Sequence, residues 1–345
     1  MWGQNHLLAI DGSHGEGGGQ IIRTSLALSL VTGKPFHVKH ARANRAKPGL
    51  RQQHLTAVRA AAAIGNAQVE GAAVGSTEFT FHPGTVTPGD YTFDVGTAGS
   101  TTLVLQTVLP PLMIASAPSV LRFEGGTHNV HAPPYDFLER TFLPLVSRMG
   151  PKILIELGRY GFYPPGGGRF DVFIEPATHR FRLELSERGR ILAIRARALV
   201  VNLPADMAER ELTVVKEKMR LSDEQLQPEI SDNAISRGTA VMIEIQSQHL
   251  TEVFTGIGER GVRAEVIAEQ AADEAIDYLR VQAPVGEHLA DQLLIPMALC
   301  SGGTFATTRV SLHTQTNIEV IKNFLAVDII VTDSTHGTTI IEVRP

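Results

Sequence analysis

Apolar positions along the chain recur in three similar helix-forming segments. Each begins with glycine or other small residues and continues as an apolar helix: GGGQIIRTSLALSL, GSTTLVLQTVLPPL and ADQLLIPMALCSGG. A second segment follows each of them, with apolar residues at intervals of three and four: LRQQHLTAVRAAAAIG, YDFLERTFLPLVSRMG and TQTNIEVIKNFLAV. Gly65 and Gly150 end two of these segments, as helix C-caps do. The pattern predicts three pairs of helices.

Short alternating runs predict strands between these helices, at TEFTFHPG, YTFDVG, VLRFEGG, RFDVFIEP and DIIVTD. The first two helical units begin about 80 to 85 residues apart and the last two about 180 to 190 apart, so near 100 residues are inserted. The candidate insertion, 185–279, is densely charged. Within it, AEVIAEQAADEAIDYL has a helical pattern, and ILAIRARALVV and TAVMIEIQS are candidate strands. We can assign no chemistry to it.

The expected fold class is therefore α/β (α+β), with three repeated βαβαββ units and a smaller inserted α/β domain. The first two repeats are expected in residues 1–184 of a large domain, the insertion in 185–279 and the third repeat in 280–345. The uncharged stretch from Val95 to Leu121 is broken by glycine, serine and proline residues, which favours a buried helix over a membrane span.

The first residues, MWGQNHLLAIDG, lack the basic region of a targeting peptide, so we expect a cytoplasmic protein without a membrane partner. The single cysteine, Cys300, excludes an intramolecular disulfide and a zinc site built from cysteines. We expect Cys300 to be a small core residue.

The distribution of charge is more informative than the formal net charge of −5. No acidic residue lies between Glu16 and Glu70. The same window contains eight basic residues: Arg23, Lys34, Lys39, Arg42, Arg45, Lys47, Arg51 and Arg59. A locally positive surface on an acidic protein fits a polyanionic ligand bound at one place.

A glycine-rich motif, Gly15-Glu-Gly-Gly-Gly-Gln20, lies between the apolar LLAID and a predicted helix. Successive backbone N–H groups of such a turn can face one anion, and the helix N-terminus adds positive potential. The motif has neither Walker nor dinucleotide-binding spacing, and a purely structural turn explains it equally well. Glu16 would repel phosphate unless a divalent cation lay between them, which makes Glu16 a candidate metal ligand.

Two further groups of residues are candidates for chemistry. Arg42, Arg45 and Lys47 precede a Pro-Gly turn and can hold a terminal phosphate by forked hydrogen bonds, although a solvated basic turn has the same pattern. His313, in SLHTQTN, is a candidate nucleophile because imidazole is largely unprotonated at neutral pH. A structural histidine remains the alternative on this residue alone.

Seven motifs in order along nearly the whole chain make it resemble the RNA 3′-terminal phosphate cyclase family: DGSHGEGGGQIIR, RAKPGLRQQHLTAV, GSTTLVLQTVLP, GGT with HAPPYDF, GFYPPGGG, VGEHLADQLLIPMAL and SLHTQTN. The resemblance implies three βαβαββ units with an inserted domain, and His313 as the nucleophile that attacks the α-phosphate of ATP. It also implies ATP as a substrate, a divalent cation (Mg²⁺ or Mn²⁺) and RNA 3′-phosphate ends as the partner. Oligomeric state is not implied.

The resemblance assigns the remaining site residues by position. It implies an adenosine pocket formed by Gln106, His288, Leu289, Ala290, Asp291 and Gln292. It implies phosphate, metal or RNA-end handling by Glu16, Arg23, Arg42, Arg45, Gln53 and His54.

The implied chemistry is transfer of AMP from His313 to the RNA 3′-phosphate, followed by attack of the neighbouring ribose 2′-OH. Asn44 stands where the family has glycine, and Thr314 and Gln315 stand where it is often apolar. A non-catalytic cyclase-like protein of ribosome assembly is the alternative, but such relatives lack the histidine. An enolpyruvyl transferase shares this kind of repeat but does not explain SLHTQTN or GEHLADQ.

Overall fold

The computed structural model describes residues 7–333 and 337–345, which form four four-stranded sheets. The first unit alternates strands and helices in the order β1 (Leu8–Asp11), α1 (Gly19–Thr32), β2 (Phe36–Lys39), α2 (Gln52–Gly65), β3 (Gln68–Glu70) and β4 (Phe79–His82). In space the strands lie in the order β1-β2-β4-β3, with β1 parallel to β2 and β4 antiparallel to both neighbours. This is a βαβαββ unit.

The second unit repeats this topology. Its elements are β5 (Asp90–Asp94), α3 (Thr101–Leu112), β6 (Ser119–Gly125), α4 (Tyr135–Phe137), α5 (Leu143–Arg148), β7 (Lys152–Arg159) and β8 (Gly168–Glu175). The strand order β5-β6-β8-β7 matches that of the first sheet. The sequence predicted one helix from Tyr135. That prediction is wrong in one respect, because a π-helical turn at Leu138–Phe142 separates α4 from α5.

The insertion follows the first strand of the third unit, β9 (Leu183–Leu185). It comprises β10 (Ile191–Val201), α6 (Asp206–Met219), a 3₁₀ turn at Asp223–Gln225, β11 (Leu226–Ser231), β12 (Gly238–Ser247), β13 (Thr251–Ile257) and α7 (Ala264–Arg280). Its sheet has the order β11-β10-β12-β13. The two strands and the helix predicted inside the insertion are confirmed. The division into domains at 184/185 and 279/280 stays a prediction.

The third unit continues after the insertion with α8 (Glu287–Leu299), β14 (Gly303–Thr307), α9 (Leu312–Phe324), β15 (Asp328–Asp333) and β16 (Thr339–Arg344). The strand β9 pairs in parallel with β14, so the chain returns to the same sheet after the insertion. The order β9-β14-β16-β15 again matches the first unit. The α/β fold class with three repeated units is confirmed.

One hydrophobic cluster joins all three units, and a second lies within the insertion. Ala196, Ala198 and Val200 of β10 face the second cluster, together with apolar residues of α6 and α7. The alternate residues Leu199 and Val201 join the cluster of the repeated units. Because strand side chains alternate between faces, the inserted sheet has its own helices on one face and packs against the repeats with the other.

The predicted glycine cap of α2 is wrong by one residue. Asn66, with φ 45°, is the left-handed residue after the helix, and Gly65 is its last helical residue. A Cβ at Gly65 would collide with Leu30 of α1, so close helix packing explains this glycine. The helix α5 ends at Arg148, and Gly150 follows with φ 135°.

The uncharged stretch around α3 forms a buried helix with flanking loops, as expected. Within the described residues no helix is long and apolar enough to cross a membrane. Cys300 is buried, also as expected, and burial raises the pKa of its thiol to about 11. The first six residues, on which the expectation about targeting partly rests, lie outside the described residues.

Candidate active site

The N-termini of α1 and α9 meet at the glycine-rich turn. The backbone N–H of Glu16 donates to Thr316 Oγ1 at 3.0 Å, and a Cβ at Gly15 would collide with the same threonine. Gly15 and Gly17 have φ values of 53° and 59°, which glycine adopts without strain. Glycine therefore allows the turn to approach the start of α9, and two helix N-termini add positive potential there.

His313 lies in the first turn of α9. Ser311 caps this helix by accepting a hydrogen bond from the backbone N–H of Thr314 at 3.1 Å, and the Thr314 hydroxyl lies 3.1 Å from that of Ser311. Thr314 is thus a buried capping partner at a position where an apolar residue was expected. The His313 imidazole is half-exposed, and its pKa is lowered by burial first and then by Arg23, Arg45 and His288. His313 is therefore neutral at neutral pH.

Gln20 connects His313 to Asp291. Its Oε1 lies 3.3 Å from His313 Nδ1, and its Nε2 donates to Asp291 Oδ2 at 2.5 Å. With the amide held in this orientation, Nδ1 carries the proton of neutral His313 and Nε2 has a free lone pair. Asn317 donates to the backbone carbonyl of Asp291 at 2.8 Å and accepts from Thr24, which fixes α1, α8 and α9 to one another.

Burial also changes the protonation of the groups behind His313. It raises the pKa of Asp291 to about 7, while Arg23 opposes that shift. Burial lowers the pKa of Arg23 to about 10, so Arg23 stays charged. Arg23 donates no hydrogen bond within the part of the chain that the structure describes, which leaves its guanidinium available to an anion.

Glu16 has a buried carboxylate that forms an ion pair with Arg45. Its Oε1 lies 3.8 Å from His313 Nε2, and neither oxygen accepts a hydrogen bond from the described residues. No cluster of three or more histidine, cysteine or acidic residues suited to a metal occurs in 7–333 or 337–345. A single carboxylate fits Mg²⁺ when phosphate oxygens of a substrate complete the coordination. Glu16 therefore fits the metal-ligand role that was predicted for it.

The basic turn has a structural role as well as a charge. Arg42 adopts φ 55° and donates from one nitrogen to the carbonyls of Lys47 and Gly49, at 2.9 and 2.8 Å. Asn44 donates to the carbonyl of Ser13 at 2.7 Å and so connects this turn to the glycine-rich turn. Of the two arginines, Arg45 forms the ion pair with Glu16, whereas one nitrogen of Arg42 is occupied by the carbonyls of its own turn.

His54 and Gln53 begin α2 beside this turn. The Nδ1 of His54 accepts from the backbone N–H of Arg51 at 3.1 Å, so a neutral ring carries its proton on Nε2. Burial lowers the pKa of His54 to about 3, helped by four arginines: Arg23, Arg42, Arg51 and Arg45. Gln53 Oε1 accepts from the backbone N–H of Ser100 at 3.2 Å, which leaves its amide nitrogen as a donor.

A narrow cleft, with about 50 Å³ of space for the centres of water-sized molecules, lies between α1, α3, α8 and α9. Its polar lining consists mainly of Gln20, Arg23, Gln106, Asp291, Gln292 and Asn317. Gln106 donates to Gln292, which donates in turn to the carbonyl of His288 at 2.7 Å. His288 is exposed, whereas Leu289 and Ala290 are fully buried in the core. The structure thus brings three of the six predicted adenosine residues to the cleft and does not bring the side chains of Leu289 and Ala290 there.

Gln20, Thr316 and Asn317 were missed as site residues, although all three lie in motifs that carried the resemblance. Gln20 is a buried polar residue on the largely apolar helix α1, and Asn317 is a buried polar residue on the face of α9 that also carries Ile318 and Ile321. That contrast is the signal by which the sequence could have identified them, because buried polar side chains are normally held by specific partners.

Comparison with known proteins decides the family. A family model described as RNA 3′-terminal phosphate cyclase matches residues 14–331. This chain belongs to the RNA 3′-terminal phosphate cyclase family. A relative of that name from Koribacter versatilis is 52% identical over 322 residues, covering 93% of this chain and 91% of the relative. One from Ectopseudomonas mendocina is 47% identical over 338 residues, covering 98% of each.

A third relative with the name RNA 3′-terminal phosphate cyclase, from Pseudomonas fluorescens, is 48% identical over 323 residues and covers 94% of each chain. The cyclase family match includes the glycine-rich turn from His14 onward and all of α9. Both structural elements that meet at His313 therefore lie within the matched region.

Proposed function

We propose that this cyclase-family chain converts an RNA 3′-phosphate to a 2′,3′-cyclic phosphodiester by means of ATP. The observation that carries the proposal is the neutral His313 imidazole, whose Nε2 is left free by the contact of Nδ1 with Gln20. A histidine with this free nitrogen, beside helix N-termini and the arginine side chains of Arg23 and Arg45, suits nucleophilic attack on a phosphate.

In the first step, Nε2 of His313 attacks the α-phosphorus of ATP and pyrophosphate leaves. The Nδ1 proton is held toward Gln20 Oε1, which accepts a stronger hydrogen bond as the ring gains positive charge. Arg23 and the N-terminus of α9 face the phosphate charge that develops during transfer. The product is AMP bonded to His313.

In the second step, an oxygen of the RNA 3′-phosphate attacks the phosphorus of this AMP and releases His313. The RNA end then carries a 3′-linked adenylate, and its ribose 2′-OH attacks the 3′-phosphorus, with AMP as the leaving group and the hydroxyl proton passing to the departing AMP phosphate. Arg45 and neutral His54, through its Nε2–H, supply donors to the RNA phosphate in this proposal. Ring closure within one nucleotide needs mainly proximity and charge neutralisation.

The divalent cation belongs to this proposal, with Glu16 as its protein ligand. When bound, the ion would neutralise phosphate charge that the buried carboxylate otherwise repels. Arg45, the present partner of Glu16, would then be released toward the RNA phosphate. RNA ends are the proposed substrate because a DNA 3′ end has no 2′-OH.

The proposal predicts covalent labelling of the protein. Incubation with ATP labelled at the α-phosphate and a divalent cation should give an AMP adduct that is labile in acid and stable in base, as a phosphoramidate is. His313→Ala should abolish it, because the substitution removes the proposed nucleophile. His131→Ala, which changes an exposed loop histidine, is the control and should keep the adduct. An undiminished adduct in His313→Ala would show that another residue is the nucleophile.

A non-catalytic, RNA-binding role in ribosome assembly is the competing hypothesis. It predicts RNA binding without any AMP adduct in the wild-type protein. The presence of His313, with its Nδ1 in contact with Gln20, favours the catalytic hypothesis. The labelling experiment described above distinguishes the catalytic from the non-catalytic hypothesis.

A further inference from the structure

A loop between β7 and β8 presents an exposed tyrosine. Residues 160–167 form this loop, and Tyr163 within it is 79% exposed. Gly167 of the same loop lies against Ile235 of the insertion, which is itself 64% exposed. An aromatic and an aliphatic side chain are thus presented to solvent where the second unit meets the insertion.

The loop is held rigidly from within. Phe162 is buried and stacks on His128, with ring centroids 5.2 Å apart. Its backbone N–H donates to Ser236 Oγ at 2.9 Å, and its carbonyl accepts from the N–H of Gly166 at 2.8 Å. The neighbouring Tyr163 is therefore presented on a preformed turn, which lowers the entropic cost of using it to bind a ligand.

This loop also borders the candidate active site. A Cβ at Gly166 would collide with the carbonyl of Thr97, so the loop packs directly on the segment before α3. Three residues further on, Ser100 donates to Gln53, which precedes His54. The loop that carries Tyr163 is therefore in contact, through residues 97–100, with the N-terminus of α2, where the RNA phosphate is proposed to bind.

Basic side chains accompany the tyrosine. Arg159 donates from Nε to the carbonyl of Gly167 at 2.5 Å and forms an ion pair with Glu124 at 3.3 Å, and exposed Arg169 lies opposite it in the neighbouring strand. Arg237 is exposed beside Ser236. An exposed aromatic ring with arginines on the adjoining segments is a combination that can bind single-stranded nucleic acid by base stacking and backbone attraction.

We propose that Tyr163 stacks on a base of the RNA strand upstream of its 3′-terminal phosphate. This inference rests on the proposed function, because it requires that the strand end lies at His54 and His313. Stacking uses the face of any base, so it would position RNA ends of different sequence in the same way.

The test compares Tyr163→Ala, Tyr163→Trp and a matched control, Phe181→Ala, which removes an aromatic ring that is 57% exposed elsewhere. Substrates are a 3′-phosphorylated oligoribonucleotide and the same strand with one abasic nucleotide at each upstream position in turn. We expect Tyr163→Ala to raise KM for the intact strand about tenfold, the lower range for loss of one base stack. Tyr163→Trp and Phe181→Ala should keep the wild-type KM.

The abasic strands identify the stacked base. One abasic position should reproduce the KM increase in the wild type and add nothing in Tyr163→Ala. If the wild type cyclises RNA and Tyr163→Ala has an unchanged KM for the intact strand, the inference is wrong while the proposed function stands. If the wild type forms neither an AMP adduct nor a cyclic end, the proposed function is wrong.

Discussion

At the scale of single residues, Gln20 decides which nitrogen of His313 is available. An imidazole can present either ring nitrogen as the lone-pair donor, and the partner of the other nitrogen makes the choice. Gln20 accepts from Nδ1 while Asp291 fixes the orientation of the Gln20 amide. We therefore regard Gln20 as a positioning residue, since it acts on the phosphate through His313.

Replacing Gln20 tests this role. Gln20→Met keeps the length of the side chain but removes the acceptor, so both tautomers of His313 become populated. We expect the rate constant for AMP transfer to His313 to fall about tenfold, which corresponds to loss of one hydrogen bond in the transition state. The ATP concentration for half-saturation should change less than twofold.

The control for this prediction is Gln315→Met, an exposed glutamine on the same helix as His313. The rate constant for AMP transfer to His313 is measured for the wild type and both variants by single-turnover labelling from pH 5 to pH 8. Because the His313 pKa is lowered, the wild-type rate should remain constant through pH 6.5 with respect to this residue and fall only below it. Equal rates for Gln20→Met and the wild type would exclude the positioning role.

The sequence indicated residues with charge or nucleophilic chemistry better than residues that support them. His313, Glu16 and Arg45 were predicted, and the structure brings them together. Gln20 was missed because a neutral amide has no chemistry of its own, and its importance depends on contacts 271 and 293 residues away. Arg42 stays a predicted phosphate ligand, and the structure adds a contact that the sequence did not indicate, since one of its nitrogens donates to the carbonyls of its own turn.

At the scale of elements, the helix α8 begins on a carboxylate from the insertion. Glu252 of β13 accepts a hydrogen bond from the backbone N–H of Gly286 at 2.6 Å, at the N-cap of α8. Burial raises the pKa of Glu252 to about 8. The insertion therefore stabilises the start of the helix that carries Asp291 and Gln292.

Glu252 gives a pH-dependent stability. Its folded pKa lies above its value in the unfolded chain, so the folded state binds more protons between about pH 4.5 and 8, and stability falls as pH rises through that window. Glu252→Gln keeps an acceptor for Gly286 but cannot ionise. We expect the stability of this variant relative to wild type to increase from pH 6 to pH 8.5, with its free energy of unfolding rising by about 1 kcal/mol or more relative to that of the wild type.

Urea unfolding at the two pH values measures this difference. Glu252→Ala is the comparison: it leaves the Gly286 N–H without its partner and should lose about 1 to 3 kcal/mol at pH 6. Because alanine cannot ionise either, this loss should decrease towards pH 8.5 in parallel with the change expected for Glu252→Gln. If Glu252→Gln followed the wild-type pH dependence, ionisation of Glu252 would not contribute to stability.

Sequence periodicity predicted the long elements and missed short or interrupted ones. The helix α7 and the strand β10 have 17 and 11 residues, and both were predicted. β9 has only three residues, too few for an alternating pattern, and only its pairing with β14 identifies it as a strand. The π-helical turn in the second unit keeps apolar residues facing the core, so the sequence shows an uninterrupted helix there.

At the scale of the whole molecule, polar contacts join the insertion to the second unit. Arg197 of β10 pairs with Asp136, whose other oxygen lies 2.8 Å from His128 Nε2. Arg197 also pairs with Glu229 at 2.6 Å, and Glu229 accepts from Tyr160 at 2.6 Å. Partly buried pairs of this kind fix the orientation of packed surfaces because an unpaired charge there is costly. The candidate active site is thus assembled from three units whose relative positions the insertion supports.

The final prediction concerns the complete reaction at this assembled site and separates activation of the RNA end from closure of the ring. In the proposed mechanism, transfer of AMP requires ATP with its divalent cation, His313 and a terminal phosphate, whereas closure requires a hydroxyl on the adjacent ribose carbon. A strand that ends in 2′-deoxyribose 3′-phosphate should therefore accumulate a 3′-linked adenylate, while the matched ribose strand proceeds to the 2′,3′-cyclic phosphate. The ribose strand does not stall because its hydroxyl is already tethered beside the phosphorus, where effective molarities reach roughly 10⁵ M or more.

Separation of both strands after reaction with ATP measures the two products, and His313→Ala with the ribose strand supplies the control without activation. A cyclic product cannot form on the deoxy strand, so its adenylate is the informative species. Normal cyclisation of the ribose strand with no adenylate on the deoxy strand would contradict the prediction. It would mean that the 2′-OH is recognised when the RNA end binds between Arg45 and His54, before any AMP is transferred.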